Sequence, residues 1–156
     1  RRDYRWCMEP LSILRSPPVV GLASLAAQRL LSRGSSTSPA TSLLGAAVAA
    51  AGLGVAAAGI REIRAAGTTL DPTRPADASK VVRQGIYRYS RNPIYLGDAL
   101  LLAGYAIHRR DLLAILPVAG FVGVIDTFQV SAEEEALRDR FGSTYGDYVA
   151  SVRRWL

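Results

Sequence analysis

The chain is 156 residues long, room for one domain of ordinary size and no large second one. Hydrophobic residues make up 49% and charged residues 21%, but the two are segregated: residues 43–60, LLGAAVAAAGLGVAAAGI, carry no charge, while residues 61–91 hold seven of the nineteen Lys and Arg. That excludes a disordered chain and weighs against an ordinary soluble α/β domain, and one Cys with one His excludes an internal disulfide framework and leaves too few ligands for a Cys/His zinc site.

The chain opens Arg1-Arg2 without an initiator Met, Met8 being a possible start, so residues 1–16 carry little weight. The run PPVVGLASLAA at 17–27 has signal-peptide character but is followed by Gln28 and Arg29, not by a small-residue cleavage site. Residues 41–60 are long and apolar enough to cross a bilayer. Residues 17–31, 93–107 and 112–130 are weaker spans, interrupted by Gln28 and Arg29, by Asp98, and by Pro117 and Asp126. Buried helices of a soluble bundle are the competing reading.

If all four segments cross, fifteen of the nineteen Lys and Arg fall on the side of the N-terminal segment, the 61–92 connection and the C-terminal tail, and four on the other. The positive-inside rule places both termini and the connection in the cytoplasm, with the cell membrane as location. The net charge of +6 then marks contact with anionic membrane lipids, because the Arg residues lie between apolar spans and not on an aromatic-laced polar face suited to nucleic acid. Ala50, Gly54 and Ala58, at four-residue spacing, form a small-residue seam for close helix packing. Gly52-x-Gly54 lacks both the third Gly and the preceding strand of a dinucleotide loop. The expected fold is all-α: a single domain over 1–156, an integral membrane bundle of about four helices with a cytoplasmic connection and a C-terminal interfacial amphipathic helix.

Two stretches carry candidate chemistry. In VVRQGIYRYSRNPIYLGD, residues 81–98, Asn92 and Pro93 form a helix start, with Asn as N-cap and Pro at the first helical position. Around them stand Gly85, Tyr87, Arg88, Arg91, Tyr95 and Gly97, and Arg and Tyr together suit a ligand bearing both signs of charge. In the tail, Ser131 and Glu134 have the spacing of a capping box. Leu137, Phe141, Tyr145, Tyr148, Val152 and Trp155 then make the apolar stripe of a helix over about 132–154, flanked by Arg and bent or weakened at Gly142 and Gly146. His108, in the HRRD loop, falls on the opposite side.

GIYRYSRNPIYLG followed by EExxLxxxFGxxYxxY (Glu133, Glu134, Leu137, Phe141, Gly142, Tyr145, Tyr148) resembles the isoprenylcysteine carboxyl methyltransferase and phospholipid methyltransferase family, integral membrane enzymes that use S-adenosylmethionine. The likeness covers residues 67–156. It implies a cofactor pocket closed by the two motifs on the cytoplasmic side, with a lipophilic acceptor entering from the bilayer. Carried over by position, the cofactor would meet Ser79, Lys80, Val81 and Val82, then Tyr87, then Asn92, Pro93, Ile94 and Tyr95, and finally Glu133. Many members have His where Asn92 stands. Prenylcysteine-processing members have Arg where Gln129 stands, facing the substrate, and a neutral amide is a poorer partner for a carboxylate, which weighs against a prenylcysteine acceptor.

Methyl transfer to a carboxylate, a thiol or a lipid headgroup needs positioning more than acid–base chemistry, so scarcity of His and Cys is no obstacle. Arg91 is the candidate functional cation, and Glu134 the nearest base if the acceptor is an amine. Two other readings compete. Steroid-reductase-type NADPH enzymes share a YSR-x-P-x-Y-x-G element, but Ile94 and Ala99 depart from their usual continuation. A non-enzymatic membrane scaffold would tolerate substitution of the Arg–Tyr cluster.

Overall fold

The computed structural model describes residues 16–69 and 77–156. The N-terminal arginines and Arg74, which entered the charge count, lie outside the described residues. Among those described, every regular element is helical: α1 (Pro17–Leu31), α2 (Pro39–Ala66), a 3-10 turn (Gly85–Arg88), α3 (Pro93–Arg109), α4 (Leu112–Phe141) and α5 (Ser143–Ser151). Two of them, α2 and α4, are long and apolar enough to cross a membrane, and only 22% of each apolar stretch is buried inside the protein. Leu43, Leu53, Leu112 and Leu116 point outward. A core helix of a soluble bundle would turn such side chains in.

α2 outruns the 41–60 span at both ends for local reasons. Ser38 and Thr41 cap each other, each hydroxyl accepting from the other's backbone N–H at 3.2 Å, and Gly67 at φ 66° ends the helix. Its 28 residues rise about 42 Å against a hydrocarbon core of about 30 Å, so one end clears the apolar layer. α1, at 15 residues, rises only about 22 Å.

α2 and α3 form an antiparallel pair, but not along the seam that four-residue spacing implied. A Cβ added at Gly54 would meet nothing within 4 Å, whereas one at Gly45 would lie 2.5 Å from the Gly104 carbonyl oxygen and one at Gly52 2.7 Å from that of Gly97. The backbones meet at Gly45 against Gly104 and at Gly52 against Gly97, and Gly59 takes the side chains of Pro93 and Ile94, so the contacts on α2 repeat every seven residues. Two turns of helix return a residue to the same face, and in an Ala-rich helix the four-residue pattern occurs on every face and selects none.

α4 is one continuous helix in several geometries: a 3-10 turn (Leu112–Ile115), an α segment (Leu116–Val124), a π segment (Ile125–Val130) and a final α segment (Ser131–Phe141). The expected start at Ser131 is therefore corrected. Ser131 lies inside a running helix at φ −61° and ψ −38°, and its hydroxyl donates to the Asp126 carbonyl instead of capping. The single tail helix over 132–154 is corrected too. Gly142, at φ 51° and ψ −126°, breaks it, α5 ends at Ser151, and Val152 begins an extended strap. Tyr145 and Tyr148 of the apolar stripe are buried within the protein.

At one end of the bundle the two short loops are knitted together. The Arg109 guanidinium donates to the backbone carbonyls of Ser32 and Ser35, and the Ser35 hydroxyl to Asp111. At the other end stand the 77–92 connection, the end of α4, α5 and the strap.

Gly52→Ala forces a methyl into the Gly97 carbonyl and costs about 1 to 3 kcal/mol. Gly54→Ala removes a flexible residue from an open helix face and is neutral or stabilising by up to about 1 kcal/mol. Thermal melts of the two variants in detergent check this contrast.

Candidate functional site

The turn that carries the first motif is held from three directions. Gly85 (φ 57°) opens the 3-10 turn, and a Cβ there would strike Glu62 of α2. The carbonyl of Tyr87 accepts from the Tyr148 hydroxyl of α5 at 2.8 Å. The Arg91 N–H donates to the Arg153 carbonyl at 3.1 Å. Pro93 does start α3, as expected, but the Asn92 side chain does not cap it. Its amide Nδ2 donates 2.9 Å to the Arg154 carbonyl, tying the helix start to the strap.

Beneath this turn lies a buried ion cluster. The Glu134 side chain is 3% exposed and meets three guanidinium groups. Arg154 grips it with a two-point fork, Nε to Oε1 at 3.0 Å and Nη2 to Oε2 at 2.9 Å, and Arg138 adds a bond to Oε2 at 2.9 Å. Arg91 reaches Oε1 with Nη2 at 3.2 Å. Arg154 also donates to Asp126 at 3.0 Å, where the Trp155 indole N–H joins it at 2.8 Å. Three cations thus face two carboxylates, and the cluster carries one surplus positive charge.

Arg91 stands out within it. Its side chain is 9% exposed, yet Nε and Nη1 find no partner among the described residues. A buried guanidinium with two idle donors is costly unless something else takes them. Arg91 lines a pocket with Tyr87, Asn92, Tyr95, Glu133, Tyr145 and Tyr148. Across it, one Glu133 oxygen accepts from the Tyr95 hydroxyl at 2.5 Å and from the Gln129 amide at 2.6 Å. Burial pushes the Tyr87 and Tyr148 phenols well above the ordinary tyrosine range, and burial with the Glu134 charge pushes Tyr145 up to about 12, against the pull of Arg91. All three stay protonated at neutral pH.

The pocket is lined by Lys80, Val81, Val82, Tyr87, Arg91, Asn92, Pro93, Ile94, Tyr95, Glu133 and Glu134, drawn from two stretches some forty residues apart. Ser79 and Gln129 are outside its lining. Ser79 is exposed and bonded to Thr68 and Gly67, and Gln129 stands behind Glu133. Ile63, Thr68, Leu137, Tyr145 and Tyr148 line it without having been singled out as site residues. The two tyrosines were visible in the apolar stripe, but their hydroxyls marked a polar destination that a purely hydrophobic reading of the stripe passes over. Arg83 lies 5.8 Å over the Tyr148 ring and does not line the pocket.

A second cavity of about 920 Å³ runs between α1, α2 and α3, lined by Leu22, Leu25, Ala49, Leu101 and Leu102, with Asp98, Tyr105 and His108 along it. Ile94 and Tyr95 line both cavities, so the apolar groove and the charged pocket meet at the start of α3.

A family model described as phospholipid methyltransferase matches residues 40–144, two thirds of the chain, spanning α2 through the first turn of α5. The chain belongs to the phospholipid methyltransferase family. That places it with methyltransferases acting on lipid-type substrates. An uncharacterized protein of Haemophilus influenzae is 40% identical over 63 residues, which is 40% of this chain and the whole of that protein. No solved structure matches the chain.

For this methyltransferase, Glu134→Ala leaves Arg91 and Arg154 without their buried counter-charge and lowers stability by about 3 to 5 kcal/mol. Arg61→Ala, at a residue whose side chain is 78% exposed, stays within about 1 kcal/mol. Chemical denaturation in mild detergent measures both.

Proposed function

We propose that the protein moves the methyl group of S-adenosylmethionine to a lipophilic acceptor at the cytoplasmic face of the cell membrane, its four helices α1 to α4 crossing or entering the bilayer and both termini on the cytoplasmic side. The observation that carries this is a pocket lined by both Arg91, a buried guanidinium whose Nε and Nη1 have no hydrogen-bond partner among the described residues, and the Glu133 carboxylate. A ligand bearing a carboxylate and an ammonium satisfies both residues, and the amino-acid end of the cofactor has both groups. The aromatic rings of Tyr87, Tyr145 and Tyr148 suit a sulfonium cation or an adenine. When bound, the cofactor supplies a methyl group on positively charged sulfur.

The residues of the chain then act by placement. Tyr95 and Gln129 aim Glu133 with two hydrogen bonds to one oxygen, and Pro93 fixes the entry of the helix that carries Tyr95. The groove meets the pocket at Ile94 and Tyr95, so an acceptor whose tail lies among Leu22, Leu25 and Leu101 presents its polar end to the pocket. Tyr145 and Tyr148 of α5 line the pocket and cover part of it against water. Glu134, with both oxygens taken by arginines, is assigned to holding Arg91 and not to proton transfer. The knitted loops at the far end carry few cations, in keeping with an outward-facing end.

Thermal shift in detergent tests this reading. S-adenosylmethionine and S-adenosylhomocysteine raise the melting temperature and NADPH does not; a shift with NADPH alone overturns methyl transfer, and no shift with any of them favours the scaffold. Glu133→Gln and Tyr95→Phe weaken S-adenosylhomocysteine binding by about 10-fold or more while leaving the melting temperature of the free protein within a few degrees. Unchanged affinity in both variants removes Glu133 from the site. Labelled methyl transfer into a total lipid extract identifies the acceptor.

A further inference from the structure

The two-point fork from Arg154 to Glu134 sits only one residue's reach from Arg91, which makes a single 3.2 Å contact with the same carboxylate. Arginine and carboxylate match best as two parallel bonds, and such pairs form wherever geometry allows. Arg91 fails to form one here because Arg154 holds both Glu134 oxygens and Arg138 shares the second. The consequence is visible in the idle Nε and Nη1 of Arg91.

We propose that Arg154 is a positioning residue for ligand recognition: by saturating Glu134 it prevents that carboxylate from capturing Arg91, and so keeps two Arg91 donors available for the carboxylate of the ligand. This rests on the cofactor reading above and adds a residue that does not line the pocket. The side chain works from a backbone already anchored elsewhere. The Arg153 and Arg154 carbonyls accept from the Arg91 N–H and the Asn92 amide, and Trp155 is tied to Asp126. Replacing the Arg154 side chain therefore leaves the strap attached. With the fork gone, Glu134 takes Arg91 in a two-point pair, and the pocket loses its anion donors without losing its shape.

The test compares two ligands that differ only in that carboxylate, S-adenosylhomocysteine and its decarboxylated analogue, by calorimetric titration of the full chain in detergent. The unaltered protein prefers the carboxylate-bearing ligand by about 10-fold or more. In Arg154→Met the preference falls toward one, with the affinity of the decarboxylated analogue unchanged within about 2-fold. Adding Glu134→Gln to Arg154→Met restores the preference, because a neutral amide no longer holds Arg91. A merely structural role predicts the opposite pattern: both ligands lose affinity together, and the second substitution deepens the loss. That result, or a preference that survives intact in Arg154→Met, overturns the proposal while leaving the cofactor reading in place. Absence of S-adenosylhomocysteine binding, or of any preference, in the unaltered protein overturns the cofactor reading itself. Should Arg154→Met fail to fold, Arg154→Lys, which keeps the charge but not the fork, gives the same comparison, with an intermediate preference expected and an unchanged one overturning the role of the fork.

Discussion

The arrangement at the charged end of the bundle depends on one buried carboxylate. Glu134 collects guanidinium groups from the turn before α3, from its own helix and from the strap beyond α5, three stretches that share no secondary structure. A carboxylate so deeply buried is tolerated only with opposite charge around it. The need is mutual, since Arg91 is also nearly enclosed. Ion pairing at this point therefore does what hydrophobic burial does elsewhere, and the apolar core of Tyr95, Leu102, Phe121, Ile125 and Val130 lies just below it.

The π segment of α4 belongs to the same construction. Its wider winding places Asp126 toward Arg154 and Trp155, while Gln129 stands behind Glu133. Such segments concentrate at functional sites because they turn side chains that a regular helix would point elsewhere. Asp126 would be a liability in an apolar helix facing lipid, yet here it is half of a polar contact that draws the strap onto the bundle.

Much of this was legible in the sequence, and the exceptions have physical causes. The helices lie close to the expected spans because apolar length survives any local irregularity. Several interruptions that weakened a span have a use in the fold: Gln28 donates to the carbonyls of Leu102 and Ala114, Pro117 falls where the 3-10 turn passes into the α segment and the Leu116 N–H already takes the Leu113 carbonyl, and Asp98 faces the groove. The pocket residues were carried over from the family resemblance, and the fold brings most of them, from both motifs, to one pocket. What could not be read was tertiary in origin. The glycine seam depends on which face of α2 meets α3, and Ser131 as a cap was indistinguishable from Ser131 inside a helix that simply continues. Asn92 bonds a carbonyl sixty-two residues away, which no local rule reaches.

The glycine seam and the ion cluster answer opposite demands within the same short chain. Between α2 and α3 the side chains are removed so that backbones touch at Gly45 and Gly52, and Gly59 makes room for Pro93 and Ile94 at the start of α3. At that start the long side chains of Arg91, Tyr95 and Glu133 are gathered, and their placement is only as good as the backbone beneath them. The apolar pair supplies the reference frame, and the charged end builds on it a pocket lined by Arg91 and Glu133. The groove between α1, α2 and α3 opens alongside the seam and runs to the same point, so the apolar groove and the charged pocket share one stretch of helix, Ile94 and Tyr95.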